Sequence, residues 1–500
     1  MSVSRGVVAA GHPVTAEAGA EVLREGGSAV DAAIAAMLTS CVTESPLTGF
    51  GAGGFMLIHD PARPEAERDV LVDFFVAAGG LGGTPRASEL VPIDVDFGDQ
   101  VQVFHAGAAS CGVPGVPAGL EWVSSRYGTV PVADLASSAI HLAREGVRVE
   151  PMQAYLFEIL APILTATAEG ERLYAPEGRI LGEGDRFRFP DLGDALERFA
   201  AEGAEPFYRG EIGRKVADWV RERGGTLGRD DFEAYEPIER EPVAADFRGA
   251  QVLTNPPPSS GGILIAYALA ALERLGQDSG VAELVEATGL ANDRRTAEFA
   301  EGLHDERYVR GFFDDDRLGS TTHIAALDAS GVCASVTCSN GTGSGEVVPG
   351  TGVHVNNMLG EEDLNPGGFH RIPPGRRVSS MMAPTVVLRD GEIVLGVGSA
   401  GSNRIRSAIL QTVVRVIEQG MDAGEAVRAP RIHFEAGTVQ AEPGVDEAGL
   451  AAIEGRGIPV VRWGRENLYF GGVQAVARDP VSGELSGGGD PRRGGAVVVA

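Results

Sequence analysis

Gly319-Ser-Thr-Thr-His-Ile-Ala-Ala-Leu-Asp-Ala-Ser-Gly331 starts polar in mid-chain and passes, at Thr321, into a short apolar run closed by a Ser-Gly turn. β-Branched threonines favour extended backbone, so the stretch reads as a strand with Thr321 at its entrance. The residues before it, Asp314-Asp-Asp-Arg-Leu-Gly-Ser320, are polar and expected to be exposed. Beyond it the character of the chain changes. Apolar or alternating runs at Thr322–Leu327, Cys333–Ser339, Val353–Asn357, Thr385–Leu388, Ile393–Val397, Val473–Ala477 and Ala496–Val499 are separated by glycine-containing turns, which predicts a sheet-rich final third. Helices are expected there at about Asn403–Gly420 and Glu447–Arg456.

Upstream, the first stretch reads as two helices. Thr15–Glu25 stops at Gly26-Gly27, and Ser28, with Asp31 three residues on, caps an apolar run to about Val42 that should be buried. Pro46-Leu-Thr-Gly-Phe-Gly-Ala-Gly-Gly54 then leads into a strand, Phe55–His59. A dinucleotide-binding loop needs a strand before its glycines and a helix after them; here the order is reversed. From about Pro114 to Leu303 the pattern is mostly helical. Asn255-Pro-Pro-Pro-Ser-Ser-Gly-Gly262 interrupts it, as a rigid loop before a helix at Ile263–Leu275 or as a cavity wall. Helix-rich sequence followed by strand-rich sequence predicts sheets packed between helical layers.

Composition narrows the function. The chain has 500 residues, 43% of them hydrophobic, with 42 basic against 70 acidic side chains and a formal charge of −28. Such a surface repels phosphate backbones and anionic headgroups, so neither nucleic acid nor membrane is an expected partner. The N-terminus lacks the basic start and apolar centre of a secretory signal, and no window reaches about 18 apolar residues, so the expected location is the cytoplasm. The four cysteines are too scattered for a disulfide framework, and none of the nine histidines has zinc-ligand spacing. No metal and no cofactor are expected.

Gly11-His-Pro, Glu25-Gly-Gly-Ser-Ala-Val-Asp-Ala-Ala33, Gly51-Ala-Gly-Gly-Phe55, Pro257-Pro-Ser-Ser-Gly-Gly262, Thr321-Thr-His323, Gly352 through Asn356-Asn357, Ser379-Ser380 and Ala383-Pro-Thr385 follow one another. In order and approximate spacing, over essentially the whole chain, they resemble the gamma-glutamyltranspeptidases. The resemblance implies an α+β fold, the four-layer αββα sandwich of the N-terminal nucleophile hydrolases. It also implies an inactive precursor cut between Ser320 and Thr321 into segments 1–320, helix-rich, and 321–500, sheet-rich and opening on the nucleophile. A threonine hydroxyl is a poor nucleophile without a base, and cleavage creates one: a free α-amino group with a pKa of about 8.

The resemblance assigns further residues. Ser339 falls where the family has a second hydroxyl, generally threonine, bonded to the nucleophile. Asn340 matches a substrate-binding asparagine or is a structural turn; the following Gly341-Thr-Gly-Ser-Gly345 is shorter than usual. Glu361 falls where an acid receives the substrate's α-ammonium group, although Glu361-Glu-Asp363 also reads as a solvated loop. Ser379 and Ser380 match serines that hold the substrate carboxylate, or form a polar turn. Gly401 and Ser402 lie where two glycines supply oxyanion-hole amides, Ser402 departing from the second. In Asp73-Phe-Phe-Val76, Phe75 replaces the arginine expected to pair with the substrate carboxylate, losing a bidentate contact. Either another arginine reaches the pocket or the acyl group differs.

Three functions follow. The first is a self-cleaving enzyme acting on gamma-glutamyl compounds such as glutathione, its two products held as a heterodimer. The second keeps the nucleophile but takes another short acyl amide, as the related glutaryl or cephalosporin acylases and oxamate-type amidohydrolases do. The third is a non-catalytic binding relative, against which intact Thr321, Thr322, His323 and Ser339 argue.

Overall fold

Ile324 and Ala326 on one face of the strand Thr322–Asp328, and Ala325 and Leu327 on the other, are all fully buried, so this strand is covered on both sides. The computed structural model describes residues 4–83, 88–96, 101–276, 278–294, 303, 322–365 and 368–500. In chain order the strands of its two large sheets are β1 (Gly6–Ala10), β2 (Gly53–His59), β3 (Asp69–Phe74), β4 (Ile238–Arg240), β5 (Val243–Phe247), β6 (Ala250–Thr254), β7 (Thr322–Asp328), β8 (Cys333–Ser339), β9 (Thr385–Arg389), β10 (Glu392–Ala400), β11 (Gly472–Arg478), β12 (Leu485–Gly489) and β13 (Ala496–Val499).

A seven-stranded sheet runs β13-β1-β7-β8-β2-β3-β4 and a six-stranded one β12-β11-β10-β9-β6-β5. Neighbours are antiparallel throughout. Successive side chains point to opposite faces. Val7, Phe55, Leu57, Ala325 and Leu327 of the first sheet therefore meet Val386, Leu388, Ile393 and Val476 of the second in one apolar layer. On the outer face of the first sheet, Val8, Met56, Ile58 and Ile324 pack against helices α1 (Pro13–Glu25) and α2 (Ala29–Thr43). On the outer face of the second, Val252, Val387, Leu395 and Val473 pack against α3 (Gly261–Leu275) and α4 (Arg404–Ile417). The result is the expected αββα sandwich.

Some elements differ from expectation. β1 precedes the two N-terminal helices, a five-residue run whose partners, β7 and β13, lie hundreds of residues away. β4, β5 and β6 sit inside the stretch read as mostly helical. Val353–Asn357 pairs as a strand only over Val353–His354, because Asn356 and Asn357 turn their side chains to neighbouring loops. No helix among the described residues is long and apolar enough to cross a membrane.

All of α2 is buried, and it starts where the sequence says: Ser28 caps it in a reciprocal box with Asp31. Asp31 also accepts from Thr129 N, Thr129 Oγ1 and Val130 N at 2.8, 2.6 and 3.1 Å, tying the helix start to a distant loop. Asp31→Ala strands these donors together with the Ser28 amide and should cost about 3 kcal/mol. An unchanged urea midpoint would contradict this account of the helix start.

Candidate active site

Ser320 and Thr321 lie outside the described residues. The adjoining residue, Thr322, opens β7 and pairs with Cys338 of β8. One residue beyond, Ser339 pairs with Gly53 of β2, next to the Gly54–Phe74 pair with β3. The strands β8, β2 and β3 thus bring Ser339, Gly53 and Phe75 to the end of the sheet at which β7 begins. From the opposite sheet, β10 crosses above: a Cβ on Gly398 would lie 2.3 Å from the His323 ring. His323 bonds Thr337 Oγ1 at 2.8 Å, and burial lowers its pKa to about 3. It is a neutral strut between the sheets.

Gly401 and Ser402 follow β10 directly and lead into α4, both at positive φ, +119° and +55°. For serine the left-handed region is strained, which is the physical content of the departure at 402. Their position, just before a 14-residue helix N-terminus, suits backbone donors aimed at an oxyanion.

Asn340, Glu361, Ser379 and Ser380 converge on the far side of β8. The Asn340 carbonyl accepts from Asn357 N at 3.2 Å, and Asn357 Nδ2 donates to Glu361 Oε1 at 3.0 Å. Glu361 is buried, unlike a solvated acidic loop. Asn340 Nδ2 donates to His354 O, and its buried Oδ1 has no partner among the described residues. Gly341 stands between these groups at φ +65°; a Cβ there would be 1.9 Å from Asn357 Oδ1. Ser379 Oγ donates to Leu364 O at 2.9 Å. Ser380 Oγ accepts from Met382 N, and its carbonyl takes Ser260 N and Ser259 Oγ from the proline-rich block, which is a wall here.

Phe75 is fully buried in the inter-sheet layer, stacked on Phe55 with ring centroids 5.2 Å apart. The neighbouring Asp73, also fully buried, is paired by Arg240 at 2.7 Å and Arg377 at 3.2 Å. Arg377, two residues before Ser379, is further held by Glu236 O and lies 4.4 Å from the centre of the Tyr235 ring. Its guanidinium supports the wall of the site and is committed to Asp73.

Sequence reasoning missed a second chamber, on the β1 side of β7. His12, Glu44, Gln153 and Arg493 line a cavity of about 310 Å³ that Thr322 and Ala400 also border. Thr322 Oγ1 donates to Glu44 Oε2 at 2.6 Å, and Thr15 Oγ1 to Glu44 Oε1 at 3.1 Å. Burial pushes the Glu44 pKa up to about 7 against the hydrogen bonds from Thr322 and Thr15 and the field of Arg493. Burial and nearby Arg404 bring Arg493 down to about 10, and burial brings His12 to about 4. An acid placed directly after fifteen buried helix residues was the available signal. Among the described residues, no group of three or more His, Cys, Asp or Glu could hold a metal ion.

This layering, two antiparallel sheets packed face to face between helices, is that of the N-terminal nucleophile hydrolases. The family model for gamma-glutamyltranspeptidase matches residues 15–500. The acylase ACY 1 proenzyme of Pseudomonas sp. (strain SE83) is 32% identical over 100% of this chain and 94% of that protein. The glutathione hydrolase proenzyme of Bacillus subtilis (strain 168) is 29% identical over 99% of this chain and 91% of that one. The crystal structure of cephalosporin acylase from Bacillus halodurans matches with a TM-score of 0.83 at 26% identity, covering 99% of this chain and 96% of that one. The chain belongs to the gamma-glutamyltranspeptidase family, and it is an enzyme of that group.

Two stability predictions follow from this geometry. Ser402→Gly should raise stability by about 0.5 kcal/mol and Ser402→Val lower it by about 2; denaturant midpoints in the reverse order would contradict the strain at 402. Glu44 has a folded pKa of about 7 against an ordinary 4.5. Its stabilising protonated form is fully present below pH 4.5 and lost as pH rises through 7, a swing of roughly 3 kcal/mol. His12 and His323 work in the opposite sense as pH falls below 6.5, so the wild type and variant are compared directly. Glu44→Gln should gain thermal stability relative to wild type between pH 5 and 8, and a constant difference would contradict the assignment.

Proposed function

We propose that the chain is a precursor that cuts itself between Ser320 and Thr321 and then works as an N-terminal threonine amidase or acyltransferase. The observation that carries this reading is the convergence at the start of β7 of Ser339, from the neighbouring strand, and the Gly401-Ser402 turn, from the opposite sheet. Thr321 Oγ attacks the Ser320 carbonyl, the acyl chain moves from nitrogen to oxygen, and water hydrolyses the ester. The freed α-amino group then takes the hydroxyl proton in turnover, Ser339 holds the nucleophile, and the amides of Gly401 and Ser402 receive the oxyanion. An acyl-enzyme on Thr321 passes its acyl group to water or an amine. Segments 1–320 and 321–500 would stay together as a heterodimer, because β1 and β2 of the first flank β7 and β8 of the second in one sheet.

The acyl group is a short one bound without an arginine from β3. Phe75 supports this, because it puts no guanidinium at that place, and the acylase relatives are in keeping with it. A gamma-glutamyl group, as in glutathione, is the second reading, favoured by the buried Glu361 and by Ser379 and Ser380.

Thr321→Ala should stay a single folded chain with hydrolysis reduced at least about a thousandfold. The wild type should cleave butyryl p-nitroanilide, whose acyl chain carries no carboxylate, with a kcat/KM roughly tenfold or more above that for gamma-glutamyl p-nitroanilide. The opposite ranking would select the gamma-glutamyl reading; a processed, active Thr321→Ala would overturn the nucleophile.

A further inference from the structure

Glu44 is an expensive residue in its place. It directly follows the last residue of α2, where the helix dipole disfavours a negative charge, and it is buried. Both carboxylate oxygens are nonetheless committed. Oε2 takes the Thr322 hydroxyl and Oε1 the Thr15 hydroxyl, and Thr15 Oγ1 is in turn 2.7 Å from Thr43 Oγ1. Gly11 closes the other side: a Cβ there would lie 2.2 Å from Glu44 Oε2. The carboxylate is therefore held by α1, α2 and the end of β1, and what it holds is the side chain at the mouth of β7. Thr322 points to the helix face, in step with Ile324 and Ala326, and away from the inter-sheet layer where Ser339 stands.

We propose that Glu44 is a positioning residue for self-cleavage, gripping the Thr322 hydroxyl from the helix side and so fixing the peptide through which Thr322 is joined to the residue before it. This rests on the reading that the chain is cut before Thr321. An N-to-O acyl shift requires the hydroxyl and the preceding carbonyl in near-attack alignment, and displacements of about 1 Å cost on the order of a hundredfold. Glu44 supplies a constraint on that alignment through Thr322. Gln can make the same two contacts, with its carbonyl oxygen accepting from Thr322 and its amide donating to Thr15 Oγ1, so geometry and charge are separable.

The test follows conversion of freshly made precursor to fragments by mass spectrometry, with thermal midpoints recorded alongside. Glu44→Ala and Thr322→Val should each slow cleavage by about 10- to 100-fold, and the double variant should be no slower than the slower single. Glu44→Gln and Thr322→Ser should recover most of the rate. Wild-type rates in both single variants, additive slowing in the double, or slowing that tracks only the melting temperature would each overturn the proposal. If Glu44→Ala does not fold, the Thr322→Val and Thr322→Ser pair decides in the same way. A wild-type chain that is never cut before Thr321 would remove the functional reading itself, and this proposal with it.

Discussion

A strand buried on both faces and paired on both edges can sit only in the middle of a sheet that is itself inside a layered stack. β7 is that strand, with β1 and β8 as neighbours, α1 and α2 against one face and the second sheet against the other. The rest of the site depends on its placement. Once its register is set, Ser339 is carried to its entrance by β8, the Gly401-Ser402 turn is carried over it by β10, and Glu44 is brought beneath it by the end of α2. These walls come from regions far apart in sequence; Glu44 and Thr322 are 278 residues apart. Only the folded sandwich assembles them, which couples the chemistry to completion of the fold.

Much of this was legible in the sequence. β7, β8, β10 and β11 announce themselves as apolar runs between glycine turns, and α2 by its capping serine and all-apolar body. Other elements were not legible. β1 is five residues long and acquires meaning only from β7 and β13. β4, β5 and β6 are short strands among helices, with exposed positions that weaken their periodicity. The asparagines after His354 extend an apparent strand pattern, but their side chains serve loops. Colinear motifs gave the residues around Ser339, Glu361 and Ser380, which the structure groups on one side of β7. Glu44 and Arg493 carry no motif, and the chamber they share with His12 exists only through tertiary contact.

The departures from the family pattern gain physical meaning from the structure. Phe75 does not leave a gap; it stacks on Phe55 and completes the inter-sheet layer. Asp73, two residues before the replaced position, is met by Arg240 and Arg377, so this buried carboxylate is paired. Ser402 keeps the left-handed backbone that a glycine would adopt more cheaply. The left-handed turn at Gly401-Ser402 is thus kept while position 75 is apolar. In the proposed function, chemistry and specificity reside in different residues, and a change of substrate need not touch the nucleophile.

The central claim is that the bond before Thr321 is broken by the protein itself. Intact mass under denaturing conditions, with the first residue of any smaller fragment sequenced, tests it most directly. The account predicts two fragments, the smaller beginning at Thr321. A chain that remains at its full 52.0 kDa after prolonged incubation, or one cut elsewhere, would contradict it.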